Sequence, residues 1–143
     1  MYQADTMTDP KDNTTTPIQG NTLDLKNQNL TKLPSWVLDE TNTEILDISN
    51  NQLEGSLPAE IRHLRNLKKL DASHNNMTGV PAEIGQLSQL EELNLSNNNL
   101  TGLPYELANL KNLKTLDISG NNYATADLTI ITKGLPPNIS IIK

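Results

Sequence analysis

Leu90-Glu91-Glu92-Leu93-Asn94-Leu95-Ser96-Asn97-Asn98-Asn99-Leu100 decides the fold, because its spacing returns along most of the chain. Read as apolar-x-apolar-x-x-Asn-x-apolar, its core is Leu93, Leu95, Asn98 and Leu100. The same pattern appears upstream as Leu23, Leu25, Gln28, Leu30, then as Leu46, Ile48, Asn51, Leu53, then as Leu70, Ala72, Asn75, Met77. Downstream it appears as Leu116, Ile118, Asn121, Tyr123. The amide-bearing positions fall at 28, 51, 75, 98 and 121, so the period is 23 residues with a single step of 24. Leu67, Leu90 and Leu113 extend the pattern three residues upstream in three of the five units. A period of this length marks a stacked repeat, in which each unit covers the apolar face of its neighbour.

The other half of each unit is periodic too. Leu33-Pro34, Leu57-Pro58, Val80-Pro81 and Leu103-Pro104 open it, and Val37, Ile61, Ile84 and Leu107 follow three residues after each proline. Apolar spacing of three predicts short tight helical turns with proline at the first helical position. The extra residue of the 24-residue step lies in Glu54-Gly55-Ser56.

Together these blocks resemble the leucine-rich repeat family over roughly residues 20–143. Leu53-Glu54-Gly55-Ser56-Leu57-Pro58 is similar to the plant-type unit, and the others to the short type widespread in bacteria. The resemblance implies an α/β solenoid, a right-handed superhelix with a concave parallel β-sheet and short helical or 3₁₀ segments on its convex side. Five repeats span 18–143, with a C-terminal helix and strand cap from about 124. In that cap Thr125-Ala126-Asp127 starts a helix, Leu128, Ile131 and Ile130 are candidates for its buried face, Gly134 ends it, and Ile139 to Ile142 form a last strand. The ending reads as a complete cap. Residues 1–17 are polar and read as a disordered tail, either a tether or a ragged start. Ile18 and Leu23 are expected to begin the first strand. Glu40 and Thr43 replace leucine in the first variable half, so Trp36, Val37, Leu38 and Ile45 are expected to fill that volume. An exposed Trp36 would alternatively be a binding anchor.

The recurring amide (Gln28, Asn51, Asn75, Asn98, Asn121) is expected to point inward and bond backbone groups left open by the turn, so the ladder is structural. Gln28 stands at the end of the stack, where the demand is lower.

Strand alternation aims the intervening residues outward. The central column is Asp24, Asp47, Asp71, Asn94, Asp117, flanked by Lys26, Ser49, Ser73, Ser96, Ser119 and by Asn27, Asn50, His74, Asn97, Gly120. On the other side run Thr22, Ile45, Lys69, Glu92, Thr115 and Asn21, Glu44, Lys68, Glu91, Lys114. Asp24, Lys26, Asp47, Lys69, Asp71, His74, Glu92, Asn94 and Asp117 are the candidate concave-face binding residues. The plain reading of the Asp column is local hydrogen bonding with serine, its repulsion moderated by nearby lysines. The functional reading is a groove for a protein or peptide with a basic segment. Calcium is a third reading, since it takes several oxygen ligands, but no metal is assigned.

Composition narrows the rest. A net charge of −6, with 11 basic residues scattered along 143, gives no patch for nucleic acid or anionic lipid. With no cysteine there are no disulfides or thiolate sites, and with 3% aromatic residues the core must be aliphatic. No apolar run reaches the roughly 20 residues of a membrane span. His63 and His74 build neither a catalytic triad nor a zinc site, and no phosphate loop occurs, so no catalytic residue and no cofactor are expected. Asn29-Leu30-Thr31, Asn76-Met77-Thr78 and Asn99-Leu100-Thr101 share one repeat phase, so as glycosylation triplets they carry little weight.

The expected function is non-catalytic protein–protein interaction through the concave face, by a monomer. The alternative is a spacer or surface-display domain tethered by the N-terminal segment. An extracellular or cell-surface setting is slightly favoured over the cytoplasm. Five strands would present on the order of 400 Å², from a spacing of about 4.8 Å and roughly 17 Å of strand.

Overall fold

The computed structural model describes residues 18–143, and the side chains from Gly20 onward. The polar tail assigned to residues 1–17 lies outside the described residues.

Among the described residues, nine strands and one α-helix are strung along a parallel solenoid. The main sheet takes its order from the repeat: β1 (Ile18–Gln19), β2 (Thr22–Asp24), β3 (Ile45–Asp47), β5 (Lys69–Asp71), β7 (Glu92–Asn94), β8 (Thr115–Asp117) and β9 (Ser140–Ile142). From β2 to β9 every pairing is parallel and in repeat register, so Leu23, Leu46, Leu70, Leu93, Leu116 and Ile141 stack as one column. β1 differs from the single first strand expected from Ile18 to Leu23. Gly20-Asn21 makes a two-residue turn, with Gly20 at φ +60°, and folds β1 back antiparallel onto β2. A glycine at the first turn position suits such a hairpin.

Between strands the chain crosses the convex side in four 3₁₀ turns: Ser35–Asp39, Ala59–His63, Ala82–Gln86 and Tyr105–Asn109. Each proline sits one position earlier than expected, at the N-cap, with φ between −61° and −72° and extended ψ. Its carbonyl accepts the first i→i+3 bond, as in Ile61 N–H to Pro58 O at 3.0 Å. Leu64 N–H to Ile61 O and Leu67 N–H to Leu64 O continue the series at 3.1 Å. A 3₁₀ geometry eclipses residues three apart. Ile61, Leu64, Leu67 and Leu70 therefore share one edge, and all are fully buried. Each such leucine contributes about 1.5–3 kcal/mol of burial.

In the first unit Val37 is buried, and Trp36 and Leu38 pack half-buried on the core. Thr43 is buried, donating its hydroxyl to Glu40 O at 2.6 Å. Ile45 does not fill that volume. Its place in the strand turns it to the concave face, where it is 38% exposed.

The plant-like unit adds a second, two-stranded parallel sheet, β4 (Glu54–Ser56) with β6 (Asn76–Gly79), and Gly55 stands at φ +67°. At the far end α1 (Thr125–Thr132) closes the core with Leu128 and Ile131. Ile130 is 45% exposed, because two residues from Leu128 is the opposite side of a 3.6-residue turn. Asp127 Oδ2 accepts the Leu103 N–H at 3.2 Å, and Lys111 Nζ donates to Gly134 O at 2.6 Å, tying the cap to the last repeat.

Candidate binding face

The register aligns Asp24, Asp47, Asp71, Asn94, Asp117 and Ile142 across the concave sheet, beside Thr22, Ile45, Lys69, Glu92, Thr115 and Ser140. Each acidic or amide side chain of the first row closes a local turn. Asp71 Oδ1 accepts Ser73 N–H at 3.0 Å and Ser73 Oγ–H at 2.6 Å. The same two bonds join Asp47 to Ser49, Asn94 to Ser96 and Asp117 to Ser119. Ser49, Ser73 and Ser96 are buried by this arrangement, so the serine column is part of the fold and not of the outward face.

The lock consumes one oxygen per residue. Oδ2 of Asp47, Asp71 and Asp117 has no hydrogen-bond partner among the described residues. At Asn94 the Ser96 N–H can only donate, which fixes Oδ1 toward it and leaves Nδ2 as the free atom. Strands β3, β5, β7 and β8 thus offer acceptor, acceptor, donor, acceptor, at about 4.8 Å intervals. Ile142 ends the row, 46% exposed.

In the first unit Lys26 takes the serine's place, its N–H bonding Asp24 Oδ1 at 3.2 Å and its Nζ Asp24 Oδ2 at 2.7 Å. That hydrogen bond, with the charges of Asp24 and Asp47, raises the Lys26 pKa above the usual lysine value. Lys68, Lys69 and Lys114 form their ion pairs with glutamates. Lys69 faces Glu92 at 3.7 Å, Lys68 faces Glu44 at 3.7 Å and Lys114 faces Glu91 at 3.1 Å. All are exposed pairs, worth about 0–1 kcal/mol each. A shallow depression of about 190 Å³ lies over this part of the sheet, lined by Lys69, Asp71, Glu92, Asn94, Asp117 and Ile142 among others.

Asp24, Asp47, Lys69, Asp71, Glu92, Asn94 and Asp117 therefore share the sheet face, with Lys26 folded against Asp24. His74 stands apart, at the corner after the strand. Asn27, Asn50, His74, Asn97 and Gly120 all adopt the left-handed conformation there, with φ between 55° and 70°. The N–H groups of Asn27, Asn50, His74 and Asn97 bond the next unit's carbonyls, as in His74 N–H to Ser96 O at 2.9 Å. The His74 ring meets the Asn97 amide at 3.4 Å. Sequence reasoning missed this corner, although asparagine and glycine recurring at one phase is its signature.

Behind the face, Asn98 Nδ2 donates to Ala72 O, Leu95 O and Ser96 O, and its Oδ1 accepts the Met77 N–H at 3.0 Å. Asn51, Asn75 and Asn121 repeat the arrangement. Gln28 is exposed, and its side-chain amide makes one 3.3 Å bond, to Lys26 O. Trp36 is half-buried against the core, not displayed as an anchor. Among the described residues no three His, Asp or Glu gather as a metal site, and no helix is long and apolar enough to cross a membrane.

Stacked parallel units with an interior amide ladder and an open polar sheet define a leucine-rich repeat solenoid. A family model of leucine-rich repeat regions matches residues 21–130, and the chain belongs to that family. It is 37% identical over 57 residues to Receptor-like protein 7 of Arabidopsis thaliana, covering 40% of this chain and 6% of that protein. Among solved structures it is similar to a leucine-rich repeat protein of Leptospira interrogans, with 39% identity and a TM-score of 0.73, covering 79% of this chain and 28% of that one. It is also similar to the plant peptide hormone receptor RGFR1 in complex with RGF2, with 36% identity and a TM-score of 0.68, covering 85% and 21%. The chain spans a small part of each of these relatives.

Proposed function

We propose that this chain is a non-catalytic protein–protein interaction module that binds a protein or peptide with a basic segment on its concave sheet. The row of unpartnered Asp47, Asp71 and Asp117 oxygens, with the Asn94 amide between them, carries the reading. Three acceptors and one donor favour a partner rich in ammonium or guanidinium groups. Similarity to a peptide hormone receptor in complex supports a peptide or protein ligand, and with the receptor-like relative it supports an extracellular or cell-surface setting.

The face is smaller than the sequence suggests. Seven strands at about 4.8 Å, each three residues or fewer and so about 10 Å long, give roughly 340 Å². A standard interface takes about 800 Å² from each partner. The sheet supplies the specific contacts, and its flanking loops or further binding surfaces supply the remaining area.

The test uses substitutions that keep the serine lock. Asp47→Asn, Asp71→Asn and Asp117→Asn together preserve Oδ1, as Asn94 already shows, and remove three charges. Capture from native lysate and envelope fractions should recover a basic partner with the wild type and lose it with the triple variant. Identical recovery by both, or recovery by neither, rejects binding through the column and leaves the spacer reading.

A further inference from the structure

We propose that the cleft between the first two 3₁₀ turns, on the convex side, is a second binding site for an extended peptide that sets an aliphatic side chain beside a lysine or arginine. The cleft has a sequence origin. The residue after each turn's buried apolar anchor is Leu38, Arg62, Gly85 and Ala108 in succession. Gly85 lets the third turn press on the fourth, since a Cβ there would lie 2.5 Å from Glu106 O. Ala108 meets the cap in the same way, with no room for a Cβ on Gly134. At the first turn this position carries the long side chain of Leu38, which lines the opening to the second turn.

The result is an open hollow of about 440 Å³. Leu33, Leu38 and Pro58 give it an apolar floor, and Asp39, Glu60 and His63 its polar rim. A second hollow of about 190 Å³ shares Leu33 and Pro58 and so adjoins the first. Adjoining open hollows with apolar lining suit a strand of peptide better than an enclosed small molecule. The rim fixes the chemistry. Asp39 and Glu60 are exposed, and among the described residues neither carboxylate is in an ion pair or hydrogen bond. Arg62 forms no ion pair with either of them, and its Nη1 donates to Ala59 O at 3.1 Å. A cation next to the aliphatic group would meet two uncommitted carboxylates.

The experiment titrates the ¹⁵N-labelled full chain with N-acetyl-leucyl-lysine amide and, separately, with N-acetyl-leucyl-glutamate amide. Saturable shifts at the amides of Leu38, Asp39, Glu60 and His63 are expected with the lysine probe, and none with the glutamate probe. The double variant Asp39→Asn, Glu60→Gln keeps shape and removes charge. It should weaken the lysine probe by about three- to tenfold while leaving the rest of the spectrum in place. Absence of saturable shifts at the cleft, an equal response to both probes, or unchanged affinity in the double variant would overturn the proposal. Shifts confined to Asp71 and Asp117 would also overturn it, while supporting the concave site. The two sites can therefore fail independently.

Discussion

Replacing Asn98 by alanine tests how the stack is held together. The amide touches four backbone groups, but they do not lose equally. Ala72 O keeps the Asn75 amide at 3.1 Å, Leu95 O keeps Asn121 at 2.9 Å, and Ser96 O keeps the His74 N–H at 2.9 Å. The Met77 N–H loses the acceptor it has, on a residue that is 1% exposed. An orphaned buried donor costs about 1–3 kcal/mol, and the two N–H groups of the amide add about 0.5–1.5 kcal/mol each. The expected loss is about 2–6 kcal/mol, a large part of a domain's usual 5–15 kcal/mol. Urea unfolding measures it, as a lower midpoint at constant slope. Gln28→Ala is the matched control at the same repeat phase. Its exposed amide makes one long bond, and it should cost less than about 0.5 kcal/mol. Equal losses at the two positions, or less than about 1 kcal/mol at Asn98, would refute this account. Asn98→Asp adds a sign. A carboxylate would face three carbonyls, so its folded pKa would rise above its unfolded value. Stability would then fall as pH climbs through that interval, and acid would partly restore it.

Four further substitutions test the packing. Gly85→Ala must push the fourth turn off Glu106 O, and should cost about 1–3 kcal/mol by thermal unfolding. Gly120→Ala places a Cβ at φ +70° against the Asn97 side chain and should cost at least about 1–2 kcal/mol, whereas His74→Gly relieves the same conformation and should lose no more than a few tenths. Leu67→Ala empties a fully buried slot and should lower stability by about 2–5 kcal/mol, measured in urea.

Much of the fold was legible because a repeat states its geometry five times. The register of Leu23 through Leu116 and the three-residue apolar spacing of the turns follow from periodicity, and the closing helix from its own start and stop residues. Features that occur once were harder. Nothing periodic announces the antiparallel turn at Gly20, or the small sheet built by Glu54–Ser56. On the concave face alternation correctly separates inward from outward side chains, but it is silent about local bonding. It therefore set the serines beside the aspartates at the surface, where the structure buries them. It also could not show that the lysines choose glutamates on neighbouring strands, because that choice depends on side-chain reach across the sheet.

The hairpin at β1 has a bearing on assembly. A parallel array has two unlike ends, and copies joined head to tail through them would grow into a filament without closing. At one end of the described sheet lies β9, parallel to β8 and carrying Ile141 and Ile142. At the other, β1 runs the wrong way for a strand that continues the parallel order. Among the described residues, a head-to-tail contact through these two strands would therefore not continue the parallel order of the sheet.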